Sequence, residues 1–173
     1  MTLNGFYKGA GGDISWNGHR GGEERDFAVD SGSQGAILLM GRVTYEMMTQ
    51  WWPTPAAIAA DPEMAATMND AEKIVFSRSL RKADWAKLVK EDAVDYVRKL
   101  KQTPGPSLCV LGSGTLITQL AKAALVDEFQ FMINPVTIET GASILPLPMQ
   151  LDLVSARPFS TGSVLLTYKP AAI

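Results

Sequence analysis

Three short stretches place small residues beside hydroxyl or guanidinium groups where apolar runs end. They are Gly41-Arg42-Val43-Thr44 after AILLM, Ser77-Arg78-Ser79 after KIVF, and Gly112-Ser113-Gly114-Thr115 after SLCVL. Small residues let an anion approach main-chain N–H groups, a helix start carries partial positive charge, and an arginine forks onto phosphate oxygens. One such stretch alone is explained as well by a turn and a helix cap. All three together point to a ligand with several phosphates, as a dinucleotide has. Two better-known phosphate motifs do not fit. In GSGTLI, Ile117 stands where the third glycine of GxGxxG belongs, and no glycine is followed by Lys-Ser or Lys-Thr as a Walker A loop requires.

The elements that must position these stretches alternate. EERDFAVDS reads as a helix, AILLM as a buried strand, and the chain from Thr44 onward as a second helix. WWPTPAAIAADP reads as a proline-broken connection, after which Asp61 caps a helix with Pro62 in its first turn. KIVFS, Lys87 to Lys90 and SLCVLG are strands; EDAVDYVRKLK, with Ala93, Val97 and Leu100 on one face, and TLITQLAKAAL are helices. DEFQFMINPVTI alternates as a strand at a sheet edge does, and VSARPFSTGSVLLTYKP closes the chain as a hairpin around Thr161-Gly162. This order predicts a single α/β domain over residues 1–173, a three-layer sandwich. Its central sheet is mainly parallel, with helices on both faces and an antiparallel C-terminal hairpin. Ligands of such sheets bind where strand ends meet helix starts, which is where the three stretches fall. Seven of the 15 glycines lie between Gly5 and Gly22, among Phe6, Tyr7 and Trp16. That segment reads as a mobile functional loop without regular structure, with Gly9 to Gly22 a lid that brings Trp16 to the ligand.

Composition narrows the function classes. The chain has 16 basic and 18 acidic side chains, and its densest basic grouping, Arg98-Lys99-Leu100-Lys101, reads as the wet face of a helix. No nucleic-acid partner is expected. No apolar run reaches the roughly 18 residues of a membrane span and the start lacks a signal-peptide pattern, so the expected location is the cytoplasm. One cysteine, Cys109, and one histidine, His19, cannot build a four-ligand Cys/His zinc site, and no metal is expected.

TLNGF, LLMGRVTYEMM, KIVFSRSL, VLGSGTLITQLAKAALVDEFQFMINPV and GSVLLTYKP, in this order, resemble the dihydrofolate-reductase-like superfamily. The likeness is closest to the reductase half of the bifunctional riboflavin-biosynthesis deaminase-reductase and its stand-alone relatives. The resemblance implies NADPH as cofactor, held by Gly41, Arg42, Thr44, Ser77, Arg78, Gly112, Ser113, Gly114 and Thr115. The first and third exits would take the pyrophosphate, and Ser77-Arg78 the adenosine ribose with its 2′-phosphate. The implied reaction is hydride transfer to a small pyrimidine of the 5-amino-6-(5-phosphoribosylamino)uracil type. Dihydrofolate reduction, on a pterin, is the second reading, and nucleotide binding without turnover the third. A homodimer is implied as well. Relatives usually read Ser-Leu-Asp-Gly where Thr2-Leu3-Asn4-Gly5 stands, so the amide of Asn4 replaces a carboxylate beside the nicotinamide. A strand is expected before this motif, yet only Met1 and Thr2 precede Leu3, so the start is trimmed or the sheet is built differently. On the substrate side Asp26 is the best-placed carboxylate, with Glu23 and Glu24 behind it; all three also suit a solvated helix start. His19, Arg20 and Arg25, with Trp16 from the loop, are the candidate substrate contacts, the three basic residues being equally explicable as loop charges. No zinc deaminase half is expected in this sequence, because a Pro-Cys-x-x-Cys context needs more than one cysteine.

Overall fold

The computed structural model describes residues 1–17, 21–145 and 148–171. In chain order its elements are β1 (Phe6–Gly9), α1 (Glu23–Ser33), β2 (Ile37–Gly41), α2 (Arg42–Thr49), α3 (Pro55–Ala60), α4 (Pro62–Asp70) and β3 (Lys73–Phe76). There follow β4 (Lys87–Val89), α5 (Ala93–Leu100), β5 (Leu108–Val110), α6 (Gly114–Lys122), β6 (Phe129–Ile133), β7 (Gly141–Ser143), β8 (Leu151–Pro158) and β9 (Val164–Pro170). They form two compact units, residues 1–25 with 124–173, and residues 26–123.

The second unit carries a four-stranded sheet of order β4-β3-β2-β5, every pair parallel. Parallel strands between helices are apolar along their whole length, and β2 shows it: Ile37, Leu38, Leu39 and Met40 are all buried. On one face Leu38, Met40 and Val75 form a core with Tyr45 of α2 and Met68 of α4, surrounded by Met48, Trp52, Met64, Trp85 and Cys109. Leu39 and Ile74 alternate to the other face and are equally buried, and α6 packs against β2. Burial raises the pKa of the Cys109 thiol, which keeps it protonated and suits a packing role.

A lysine opens β3. Lys73 is buried, and its ammonium donates to the carbonyls of Met68 and Asn69, at 2.8 and 2.9 Å, and to that of Ala71. It also lies 4.5 Å from the centre of the Trp85 ring, whose indole N–H donates to Asn69 Oδ1 at 2.9 Å. The charge thus ends α4 by holding carbonyls that have no helical partner, where the helix dipole favours a cation. Desolvation pulls its pKa below the usual lysine value.

The first unit is antiparallel apart from one bridge. In the sheet β6-β9-β8, β9 pairs with both neighbours, and β8 carries a bulge between Leu153 and Ser155. The β8–β9 hairpin turns as expected at Thr161-Gly162: Gly162 has φ 89°, and the Phe159 N–H donates to the Ser163 carbonyl at 2.9 Å. Glu23 accepts the Ser160 N–H at 3.1 Å, and Glu24 accepts the Thr161 hydroxyl. The pair β1–β7 is the remaining sheet, and its strands approach so closely that a Cβ at Gly141 would lie 2.3 Å from the Lys8 carbonyl oxygen.

Several sequence expectations need correction. The glycine-rich stretch is not devoid of regular structure, because Phe6–Gly9 pairs with Gly141–Ser143 and a 3-10 turn follows over Ala10–Gly12. The partner strand is short and distant in sequence, so no local pattern announces it. WWPTPAAIAADP contains α3, capped by Thr54, whose Oγ1 accepts the Ala57 N–H at 3.2 Å with Pro55 at the first position. A proline there starts a helix and does not merely interrupt one. The second helix begins at Arg42, so Thr44 lies inside its first turn. At the chain start Thr2 makes an isolated parallel bridge to Asn134, just past β6, and the Asn134 N–H donates to the Met1 carbonyl at 2.8 Å.

Candidate functional site

The register of the parallel sheet brings the three phosphate-type exits to one edge. Gly41 lies beside Phe76 on β3, and Leu39 beside Val110 on β5, so the chain leaves β3, β2 and β5 side by side at their carboxyl ends. Those exits are Ser77-Arg78, Gly41-Arg42 and Gly112-Ser113.

Ser113 ties two of them together. Its Oγ accepts the Gly41 N–H at 2.8 Å and shares a hydrogen bond with Thr44 Oγ1 at 2.7 Å. To do so it takes φ 55° and ψ 59°, a left-handed conformation that few residues other than glycine adopt. Gly112 before it also has positive φ, 59°. Thr44 is buried and its hydroxyl belongs to this junction, so of the two residues it is Ser113 that Thr44 holds.

Both helices that start here lack a side-chain cap. Gly41 at the start of α2 has no side chain to offer, and the Ser113 side chain at the start of α6 is turned to Gly41 instead of its own helix. Neither first turn contains a carboxylate. The first N–H groups of a helix have no partner within it, so α2 and α6 present adjacent sets of donors with their positive dipole ends. A Cβ on Gly41 would meet nothing closer than Ser113 Oγ, at 3.5 Å. Gly114 is buried, whereas Gly112 and Thr115 are exposed.

The two arginines differ. Arg42 is exposed and donates to Glu46 Oε2 at 2.7 Å, one turn along α2. A phosphate would have to compete with that carboxylate. Arg78 is exposed on a tight turn made by Ser77, whose Oγ accepts the Ser79 and Leu80 N–H groups at 3.3 and 3.1 Å. Ser77 thus shapes the turn that presents Arg78.

The candidate catalytic and substrate residues are scattered. Asn4, in the first unit, donates from Nδ2 to the Ile138 carbonyl at 2.7 Å and accepts the Ile138 N–H at 3.4 Å. Both ends of its amide are therefore engaged with main chain. Asp26 belongs to the second unit and is exposed on α1. Trp16 is half-buried, with an indole N–H that is buried and has no hydrogen-bond partner. Arg25 is half-buried, and Glu23 and Glu24 are taken up by the hairpin turn. His19 and Arg20 lie outside the described residues. The Ser113 junction escaped the sequence reading, which saw two separate turns. Glu46 was legible, since a carboxylate four residues after an arginine on a helix pairs with it.

The fold these elements build is that of solved reductases. With a TM-score of 0.72, 19% identity and coverage of 99% of this chain and 96% of the other, it is similar to a putative riboflavin biosynthesis protein from Shewanella sp. PV-4. It is also similar to dihydrofolate reductase from Enterococcus faecalis solved with NADP(H), at TM-score 0.67 and 16% identity, covering 99% and 93% of the two chains. The Thermotoga maritima diaminohydroxyphosphoribosylaminopyrimidine deaminase/5-amino-6-(5-phosphoribosylamino)uracil reductase matches at TM-score 0.68 and 16% identity. There 99% of this chain covers 54% of the bifunctional one. The protein therefore has a dihydrofolate-reductase-like α/β fold. The model of the RibD C-terminal domain matches residues 1–165, and the chain belongs to that family. Among curated proteins, uncharacterized protein YyaP of Bacillus subtilis (strain 168) is 29% identical over 173 residues, 97% of this chain and 90% of that one. Among the described residues no helix is long and apolar enough to cross a membrane.

Proposed function

We propose that the chain is an NADPH-dependent reductase acting on a small heterocycle of the ribosylaminouracil type. The observation that carries this reading is the pair of uncapped helix starts, α2 and α6, held together by Ser113 beside the exposed Arg78. Membership of the RibD C-terminal domain family and the likeness to reductase folds support it.

In this reading the first-turn N–H groups of α2 and α6 bind the pyrophosphate, with Gly41, Gly112 and Gly114 keeping Cβ atoms off the path and Thr115 at the exposed start of α6. Ser113 and Thr44 fix the spacing of the two helix starts. Arg78, presented by Ser77, takes the 2′-phosphate, and Arg42 turns from Glu46 to a phosphate oxygen. When bound, NADPH supplies the hydride, and the protein contributes position and polarity. Asn4, committed to Ile138, acts by holding the chain around residue 138 and does not relay a proton. Asp26 keeps its proposed role as the carboxylate that holds the substrate ring, and Trp16, Arg20 and Arg25 keep theirs as substrate contacts.

The test is NADPH oxidation with a ribosylaminouracil phosphate and, separately, with dihydrofolate, alongside titrations with NADPH and NADH. Turnover of the pyrimidine with NADPH preferred is the expected result. Turnover of dihydrofolate alone would transfer the protein to the pterin reductases. Tight NADPH binding without turnover of either would make it a nucleotide-binding module, a reading that the engaged amide of Asn4 favours.

A further inference from the structure

The helix α2 carries two charges, Arg42 at its first position and Glu46 one turn on, in an order that works against the helix. The start of a helix is its positive end, so a cation there is unfavourable, and an acid four residues before a base stabilises a helix more than the reverse. The helices α3 to α6 follow those preferences. In α5 the acid comes first: Asp95, in the first turn, accepts from Arg98 Nη1 at 2.8 Å, and Arg98 and Lys99 stand in the last turn. The first turn of α4 carries Glu63, and those of α3 and α6 carry no charge. Of these five helices α2 alone opens with a base.

The reversed pair stands at an open helix start. Gly41 offers no cap there, and no carboxylate lies in the first turn. Side chains of a helix lean toward its N-terminus. That lean brings the Glu46 carboxylate up beside residue 42, where its Oε2 accepts from Arg42 Nη1 at 2.7 Å. Glu46 is the only acid on either α2 or α6, the two helices with open, adjacent starts. The Arg42 and Glu46 side chains keep 46% and 41% of their surface, so the pair can part without disturbing the core.

We infer that Glu46 is a built-in stand-in for the anion. It holds Arg42 while the α2 start is empty, an incoming phosphate must displace it, and it thereby limits how tightly the nucleotide is held. The inference rests on the nucleotide-binding reading above and deepens it. With the site empty, the Glu46 carboxylate compensates a cation that the helix dipole disfavours. With a nucleotide bound, Arg42 turns to a phosphate oxygen and Glu46 is left to water, close enough to repel the phosphate. An exposed ion pair shifts an equilibrium by at most about fivefold, enough to tune affinity and too little to keep the ligand out. Glu46 acts through Arg42 and is a positioning residue.

The experiment is a double-mutant cycle on the whole chain, with Arg42→Ala, Glu46→Gln and the two combined, read by calorimetric titration with NADPH. Glu46→Gln should bind NADPH about three- to tenfold more tightly than the native protein, and the gain should shrink at high ionic strength, which screens exposed charges. Arg42→Ala should weaken binding in both backgrounds, and by about threefold more where Glu46 is already Gln, because there Arg42 has no carboxylate to leave. Repulsion between Glu46 and the phosphate cancels in that comparison, so the difference reports the tie between the two side chains. A purely structural Glu46 would change the melting temperature and leave this difference at zero. Both side chains are solvent-accessible, so the variants should fold, which circular dichroism checks. Native or weaker affinity in Glu46→Gln, or an equal cost of Arg42→Ala in the two backgrounds, would overturn the inference while the nucleotide-binding reading stood. A native chain that binds no NADPH would overturn both.

Discussion

The second unit starts its helices in two different ways. In α3, α4 and α5 a side chain closes the first turn: Thr54 accepts the Ala57 N–H, Asp61 the Met64 N–H, and Asp92 the Val94 and Asp95 N–H groups. In α4 and α5 the first turn also carries a carboxylate, Glu63 and Asp95. At α2 and α6 there is no cap and no carboxylate, although a serine stands at the α6 start and could have served. A cap typically contributes about 1 kcal/mol, so leaving two neighbouring helices open forgoes stability that the same chain takes at three other places. In the proposed reading, the difference marks where an external anion would substitute for the cap.

The comparison breaks most sharply at Gly41→Asp. Gly41 has φ −84° and ψ 169°, extended backbone that aspartate adopts as a cap, and a Cβ would meet only ordinary contacts. The substitution turns an open start into a closed one. Thermal stability should hold or rise by a few tenths of a kcal/mol, while NADPH affinity should fall about a hundredfold, roughly 2.7 kcal/mol, because a carboxylate now occupies the phosphate position. Unchanged affinity in a calorimetric titration would show that the open start of α2 is not a binding element.

Arg78→Ala tests the third exit. A charge-assisted bond to a 2′-phosphate is worth about 1.5 to 3 kcal/mol, so NADPH affinity should fall roughly ten- to hundredfold, with NADH affinity unaltered. An equal loss for both nucleotides would assign Arg78 to the pyrophosphate.

Asp61→Ala is the counterpart at a closed start. Loss of its bond to the Met64 N–H, 3.0 Å long, should cost about 1 kcal/mol in stability and leave NADPH affinity where it was. Weaker binding here would mean that any damage to a helix start disturbs the site, and the contrast between the two kinds of start would lose its meaning.

The sequence made the exits legible because strand ends, glycines and arginines are local signals, and the alternation of apolar runs with helical periods was enough to place them on one sheet edge. What it left hidden depends on residues far apart. Ser113 meets Gly41 and Thr44 only because β5 lies beside β2. Lys73 looks like the first residue of a strand, and its role in closing α4 under Trp85 follows from packing alone. The pairing of β1 with β7 and the engagement of Asn4 with Ile138 join segments more than 130 residues apart. Side-chain roles on the substrate side were read from spacing along one helix, which says nothing of the hairpin turn that takes up Glu23 and Glu24.

The smallest effect concerns Ser113 itself, and it separates strain from bonding. A residue other than glycine in the left-handed region costs roughly 1 kcal/mol, and the two hydrogen bonds of Ser113 Oγ return about that much. Ser113→Ala keeps the strained backbone and loses both bonds, so it should destabilise the fold by about 1 kcal/mol or somewhat more. Ser113→Gly loses the same bonds but relieves the strain, and its stability should stay within about 0.5 kcal/mol of the native protein. In NADPH binding the order changes, because neither variant ties the Gly41 N–H to α6. Both should bind several-fold more weakly than the native chain, the glycine variant no better than the alanine one. Equal melting temperatures for the two variants would show that the left-handed turn carries no strain. A glycine variant with native affinity would show that the two helix starts keep their spacing without Ser113.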